Sequence, residues 1–240
     1  KEMNKDLIHD YKVFLARPSQ KVVHRKSHSS NKKLMKPIEN PVLTKMRADA
    51  QNGDPTAQFN YVVAQFEGTY GKPNFAEAQK YAIQYYQRPG AFDDENIVNT
   101  LTMQFYAGKC YAHFEKYDLA YIVLRNSAMK GNSHAAFFLA ELMNNGKINS
   151  NNNEKEMFYS RAAEGGIPEA VKKYAYMNYY GTLKNGPDKI KAISLFKQGS
   201  DQGDPEMMYL WAIRNEFGRD IDKDVNAAME LMKLAADKGY

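Results

Sequence analysis

The sequence predicts an all-α solenoid of about five antiparallel helix pairs. Two observations in the 240 residues carry this prediction: glycine pairs recur at a spacing of fifteen residues, and apolar positions between them recur at helical spacing. Self-similarity with a period of a few tens of residues is typical of repeat arrays, in which each unit contacts mainly its neighbours. Such arrays work through the surface that they present, so a single-core enzyme is not the expected architecture.

Two glycines frame the first helix of each unit, and turn chemistry explains both. Gly53, Gly166 and Gly203 each stand two residues before a proline, which suits the first turn of a helix because its missing N–H is not needed there. A second glycine fifteen residues later is expected to end the helix, since glycine enters the left-handed cap conformation at little cost. The four pairs are Gly53 with Gly68, Gly131 with Gly146, Gly166 with Gly181, and Gly203 with Gly218.

Apolar residues follow each opening glycine at offsets of four, eight and nine, which lie on one face of a helix. A second helix follows a short loop and carries its own apolar pair, and small residues near its end would let consecutive units approach closely. The pairs at offsets eight and nine are Tyr61-Val62, Leu139-Ala140, Tyr174-Ala175 and Trp211-Ala212, and those of the second helices are Tyr81-Ala82, Val123-Leu124, Phe158-Tyr159, Leu195-Phe196 and Leu231-Met232.

The glycine spacing is interrupted between the first and third units. The apolar positions of this stretch follow the repeat pattern again if a unit starts at Asp93. Leu101 then falls at offset eight and Gly108 at offset fifteen, so Gly108 is expected to end the first helix of that unit. Unit starts near residues 53, 93, 131, 166 and 203 give five helix pairs over residues 46–240.

This combination resembles the Sel-one-like repeat family, a subclass of tetratricopeptide-like helical repeats, over residues 46–240. Besides the glycine pairs, the resemblance rests on Ala57, Ala135 and Ala170, on the closing Ala-Ala-x-x-Gly of 162–166 and 235–239, and on the loop 218–228. It implies a right-handed superhelical solenoid and a non-catalytic scaffold or adaptor for protein partners, often in bacterial envelope or virulence systems.

One position departs from the family pattern, which usually has tyrosine at offset twelve. Four of the five units have a non-aromatic residue there, so packing between units at this position is expected to be looser or polar. The residues are Gln65, Phe105, Met143, Asn178 and Asn215.

The basic charge of the chain is concentrated before the repeats. Residues 1–45 hold eleven Lys/Arg and four Asp/Glu, whereas the remainder is close to neutral. Residues 1–16 are predicted to form an amphipathic helix that covers the first repeat or docks on a partner. Residues 17–45 are predicted to be a basic linker, which is either solvated or in contact with an acidic partner or membrane headgroups; nucleic acid is disfavoured because aromatic residues are absent from 17–36. The cations of this electrostatic arm are Lys21, Arg25, Lys26, Lys32, Lys33 and Lys36.

Residues with catalytic or metal-binding potential are few and isolated. His24 and His28 have helical ligand spacing but no nearby acid, and Cys110 with His113 lacks a third partner, so neither a metal site nor a nucleophile is expected. We therefore expect no cofactor and no enzymatic activity. The resemblance keeps two alternatives open, a structural subunit of a bacterial envelope or secretion assembly and a cell-wall-related hydrolase. The basic arm adds a third, an anionic-surface binder.

By analogy with tetratricopeptide-like arrays, the first helices should line a concave groove, with offsets three, six, ten, thirteen and fourteen facing it. Aromatic and carboxylate side chains are abundant at these offsets, which favours a peptide groove; the alternative is that the rings fill space between neighbouring first helices as core. The same offsets put Met103 of the second unit on this face. The candidate partner-binding residues are Phe59, Phe66, Glu67, Phe137, Glu141, Lys172, Tyr176, Tyr179, Tyr180, Tyr209, Glu216 and Phe217.

The two ends of the chain give weaker expectations. No run of eighteen apolar residues is present, so no transmembrane segment is expected. The chain begins with Lys1 instead of Met, as a mature exported protein or a shortened chain would, and a periplasmic or exported bacterial protein is slightly favoured over a cytoplasmic one. The last helix pair is expected to expose an apolar flank, which further repeats, a partner or self-association would cover.

Overall fold

The computed structural model describes residues 40–182, 186–218 and 221–240. The predicted helix 1–16, the six arm cations, His24 and His28 lie outside these residues. Helix α1 begins at Pro41, so the end of the predicted linker 17–45 is helical. The described residues all belong to one compact unit.

Eleven helices and no strand make up the described residues, and each helix packs on the next one along the chain. Helix α1 precedes five pairs, α2–α3, α4–α5, α6–α7, α8–α9 and α10–α11, and α4 also contacts both α2 and α6. The described part of the chain contains no helix long and apolar enough to cross a membrane. The bounds are α1 Pro41–Gln51, α2 Pro55–Glu67, α3 Phe75–Gln87, α4 Ile97–His113, α5 Tyr117–Met129, α6 Ser133–Asn144, α7 Asn152–Glu164, α8 Pro168–Tyr180, α9 Lys189–Asp201, α10 Pro205–Phe217 and α11 Val225–Asp237.

The row of helix pairs confirms the solenoid, and the helix starts follow the predicted chemistry. Proline occupies the first turn of α2, α8 and α10. The side chains of Asp54 and Asp204 accept hydrogen bonds from backbone N–H groups of α2 and α10. Second helices use the same device, since Asn74 caps α3 and Asp188 caps α9. These caps satisfy N–H groups that have no partner inside the helix.

The glycines at offset fifteen end the first helices in four units but not in the second. Gly68, Gly181 and Gly218 are left-handed C-caps with φ of +70°, +70° and +60°, and Gly146 has φ of +67° just after the end of α6. The prediction for Gly108 is wrong, because α4 has 17 residues and continues to His113.

Gly108 has a packing role instead of a capping role. A Cβ atom there would lie 2.5 Å from Cγ of Leu124 on α5, so glycine allows α4 and α5 to pack at close range. The left-handed position that follows α4 is occupied by Glu115, with φ of +57°. The second unit therefore turns with a residue that the glycine spacing does not identify.

Three of the offset-twelve positions make polar contacts within their own units, and the looser or polar packing expected between units stays a prediction. Gln65, Asn178 and Asn215 are buried, and the amides of both asparagines donate to the backbone carbonyl four residues earlier. The carbonyl of each of these three residues accepts the N–H of the residue that caps the following helix, at 2.8–2.9 Å. This recurring bond ties the first helix of a unit to the start of its second helix. The accepting and donating residues are Gln65 and Asn74, Asn178 and Asp188, and Asn215 and Asp224.

Candidate partner-binding surface

Side chains of the first helices contact each other between every pair of neighbouring units. Phe66 on α2 meets Tyr106 on α4 with ring centroids 5.1 Å apart, and Phe105 on α4 meets Phe138 on α6 at 6.3 Å. Ion pairs replace ring contacts further along the chain, between α6 and α8 and between α8 and α10. Contacts between first helices thus connect each unit to the next, and three predicted groove residues take part in them: Phe66, Glu141 and Lys172.

Glu141 joins the third and fourth units. Its carboxylate accepts hydrogen bonds from the Lys173 ammonium at 2.6 Å and from the Tyr159 hydroxyl at 2.6 Å. Burial, reinforced by Glu141, raises the pKa of Tyr159, so the hydroxyl stays protonated and donates. The Phe137 ring lies 5.7 Å from the same ammonium. Both predicted residues, Glu141 and Phe137, are engaged within the protein.

Lys172 and Tyr176 join the fourth and fifth units. The Lys172 ammonium pairs with Glu206 and lies 3.5 Å from the Asp204 carboxylate, and the Tyr176 hydroxyl donates to Glu206. The hydrogen bonds from Lys172 and Tyr176 lower the pKa of Glu206. All four side chains are partly exposed, so this network stands at the surface.

The three tyrosines of α8 differ in burial. Tyr179 is partly buried, with its ring 5.7 Å from Phe196 and 5.2 Å from the Arg214 guanidinium carbon. Tyr180 is 69% exposed, and it stacks on Tyr176 at 5.9 Å. Tyr180 is therefore presented to solvent, whereas Tyr179 packs inside the array.

Three further aromatic residues of the last unit are exposed. Tyr209 is on α10, and its ring lies 5.1 Å from that of Tyr240. Phe217, 57% exposed, occupies offset fourteen, the position that Tyr180 occupies one unit earlier. Glu216 beside it is partly buried.

The remaining predicted residues lie on the first unit. Phe59 is partly buried against Tyr85, at a centroid distance of 6.3 Å. The Phe66 ring lies between Phe75 and Tyr106, and Glu67 is exposed.

Two residues of α4 depart from what the sequence predicted. Met103, expected on the groove face, is fully buried, because the core-facing register of α4 does not follow the start at Asp93. Lys109 was not predicted, yet its ammonium lies 4.4 Å from the Phe66 ring centroid and 5.2 Å from that of Phe105. Lys109 was missed because it stands at offset sixteen, beyond the expected end of the helix. Its position four residues after Phe105 on one helix could have indicated the contact between them.

Cys110 and His113 do not form a nucleophilic pair. Burial raises the pKa of the Cys110 thiol to about 12, so the reactive thiolate is disfavoured at neutral pH. His113 packs against Phe75 with ring centroids 4.0 Å apart. The structure therefore gives both residues a packing role.

The outer face of α11 carries exposed apolar side chains. Met229 is 60% exposed, and two further apolar residues of the same helix, Val225 and Leu234, are exposed as well. The predicted self-association through the last helix pair stays a prediction.

Comparison with known proteins agrees with the repeat architecture. The model of the Sel1 repeat matches residues 55–88, 133–167, 168–204 and 205–240; it leaves out residues 89–132, which contain α4 and α5. No curated protein matches the chain. The solved structures similar to it include the following two. A Sel1 repeat protein from Oxalobacter formigenes is 23% identical with a TM-score of 0.60, over 83% of this chain and 78% of that one. A protective antigen from uropathogenic Escherichia coli strains that displays an SLR fold is 17% identical with a TM-score of 0.47, over 83% of this chain and 57% of that one. Since the repeat matches cover more than half of the residues, the chain belongs to the Sel1 repeat family.

Proposed function

We propose that this protein is a non-catalytic scaffold or adaptor. It captures a protein or peptide partner on the surface formed by the first helices of its units, α2, α4, α6, α8 and α10. Sel1 repeats are generally protein–protein interaction modules, and proteins built from them are typically non-catalytic. The observation that carries the finer proposal is the recurrence of exposed aromatic rings at offset fourteen, in Tyr180 and Phe217.

Exposed tyrosine and phenylalanine rings are well suited to anchor a partner. They bury a large area for the loss of only two side-chain torsions, and tyrosine adds a hydroxyl that can donate or accept. Tyr180 stacks on Tyr176, whose hydroxyl is held by Glu206, so the anchor stands on a rigid support. Preorganised anchors of this kind lose little entropy on binding.

The partly exposed network of Lys172, Glu206 and Asp204 gives this anchor a polar border. Aromatic centres with a polar, partly hydrated rim are the usual arrangement of a protein interface. The carboxylates and the ammonium could exchange water for hydrogen bonds to the backbone of an extended partner segment.

A pair of variants on neighbouring residues tests the proposal. Peptides would be selected from a random display library on the wild-type protein, and their affinity would be measured by fluorescence anisotropy. Tyr180→Ala should weaken binding by about tenfold or more, as loss of an interface anchor does, and leave the thermal midpoint nearly unchanged because the side chain is exposed. Tyr179→Ala is the matched control and should lower the midpoint, since its ring packs on Phe196.

Two results would contradict the proposal. One is that the wild type selects no peptide at all. The other is that the selected peptides bind Tyr180→Ala and the wild type with the same affinity.

A further inference from the structure

Lys109 lies among three aromatic side chains, one from each of the first three units. Its ammonium is 4.4 Å from the ring centroid of Phe66 on α2, 5.2 Å from Phe105 on its own helix α4, and 6.0 Å from Phe138 on α6. All four side chains are partly exposed. We call these four residues the Lys109 surface. It consists of one ammonium group surrounded by three partly exposed aromatic rings.

The charge of Lys109 is only partly compensated by the described residues. Burial lowers the pKa of its ammonium, and the charge of Glu67 acts in the opposite direction. Glu67 is exposed and does not form an ion pair with Lys109 among the described residues. Aromatic faces attract the cation but do not replace strong hydrogen-bond acceptors.

Two other lysines on the first helices have a different environment. The Lys173 ammonium lies 2.6 Å from both carboxylate oxygens of Glu141, and Lys172 pairs with Glu206 and Asp204. Those lysines join units through ion pairs, whereas Lys109 keeps its donors available beside apolar surface.

We infer that the Lys109 surface receives a carboxylate of the partner, from an Asp or Glu side chain flanked by apolar residues. This inference rests on the proposed function and names the chemistry of its ligand. The rings would hold the apolar neighbours of the acid, and the ammonium would pair with the carboxylate. Because the rings exclude part of the water, a charge-assisted hydrogen bond there is stronger than at an open surface.

A carboxylate fits better than a phosphate. Phosphate groups are usually recognised by clusters of arginines or by several donors together. Lys109 offers one ammonium, and the charge of Glu67 acts on the same group. Glu67 would repel a phosphate dianion more strongly than a carboxylate, and one ammonium pairs with one carboxylate.

The test uses the full chain and defined peptides. A random peptide library displayed on phage is selected on the wild type, and the best peptides are synthesised in pairs that differ by Glu→Gln or Asp→Asn. Selected peptides should carry one acidic position next to apolar residues. The wild type should prefer the acidic member of each pair by at least about tenfold, the effect of one charge-assisted hydrogen bond.

Three variants assign that preference to Lys109. Lys109→Met keeps the apolar stem against the rings and should abolish the preference, while Lys109→Arg should retain it. Lys80→Met is the matched control, because the Lys80 ammonium also lies over a ring, that of Tyr81, at 5.1 Å on a second helix; it should leave the preference unchanged. Circular dichroism checks that each variant keeps its helices.

The outcomes separate this inference from the proposed function. Peptides that depend on Tyr180 but show no acidic preference would overturn the inference and leave the proposed function standing. The same holds if Lys109→Met keeps the full preference for the acid. Failure of the wild type to select any peptide would overturn both.

Discussion

The second and fourth units of the array solve the same packing problem with different local chemistry. In the fourth unit, α8 has 13 residues and ends at Gly181, a left-handed glycine. In the second unit, α4 has 17 residues, runs through Gly108 and is followed by Glu115 in the left-handed region. Three residues separate α4 from α5, whereas eight separate α8 from α9 in the fourth unit. The family model matches the fourth unit and leaves out the second.

This difference shows which part of the repeat the fold requires. Both units keep a packed helix pair, and both dock on their neighbours. The glycine cap and the long loop are present in one and absent from the other. Helix packing therefore defines the unit, and the cap is one of several ways to turn the chain.

The largest expected effect comes from a regular cap, at Gly68. Gly68→Ala should lower the free energy of unfolding by about 2–4 kcal/mol, because left-handed strain adds to overpacking: the new Cβ would lie 2.7 Å from Pro73 Cδ and 2.8 Å from the Gly71 carbonyl oxygen. Gly146→Ala is the matched control, with φ of +67° and nothing within 4 Å of the new Cβ, and should lose only about 1–2 kcal/mol. Urea unfolding followed by circular dichroism measures both. Equal losses of unfolding free energy in the two variants would contradict the prediction. They would mean that the loop after Gly68 shifts to remove the overlap at no cost in stability.

A smaller effect is expected in the second unit, at Gly108. Gly108→Ala should lower the free energy of unfolding by about 1 kcal/mol, since overlap with Leu124 costs more than the helix propensity of alanine returns. In a Leu124→Ala background, the same substitution should become neutral or stabilising because the overlap is gone. A double-mutant cycle by urea unfolding measures this coupling. If the losses in free energy of unfolding from the two substitutions are additive, Gly108 does not serve close packing of α4 on α5. The packing role that distinguishes the second unit from the fourth would then be contradicted.

The smallest expected effect is a gain at the turn of the second unit. Glu115→Gly should stabilise the protein by about 0.5–1 kcal/mol, because glycine relieves the left-handed strain of a side chain and gives back part of that gain through its greater freedom when unfolded. Lys116→Gly is the control, since Lys116 has φ of −87° and glycine there should only destabilise. Thermal unfolding of the two variants in parallel checks the signs, and a loss of stability in Glu115→Gly would contradict the assignment.

Most of the fold could be predicted from spacing, and the exception has a physical cause. Glycine favours a left-handed cap and also permits close approach of two helices. Spacing alone does not separate these roles at Gly108, because the deciding atom is on Leu124 of the next helix. Since the register of α4 was tied to that glycine, Met103 was assigned to the wrong face.

The clustering of candidate residues on one helix could be predicted from the sequence, but the contacts of each side chain could not. Helical periodicity put Tyr176, Tyr179 and Tyr180 near one another. Periodicity does not say that Glu206 of the next unit would hold the Tyr176 hydroxyl or that Phe196 would pack on Tyr179. These contacts join residues 30 and 17 positions apart, and they depend on how closely α8 packs on α10 and on α9.

The position of α4 also has a consequence for how the array comes apart. In a linear array, stability is close to a sum of unit and nearest-neighbour terms, so units can open one at a time from the ends. Among the described first helices, α4 packs most closely on its neighbours, α2 and α6, so we expect the first three units to unfold as one cooperative block. We expect amide hydrogen exchange to be slowest in α4, the helix that departs most from the repeat pattern.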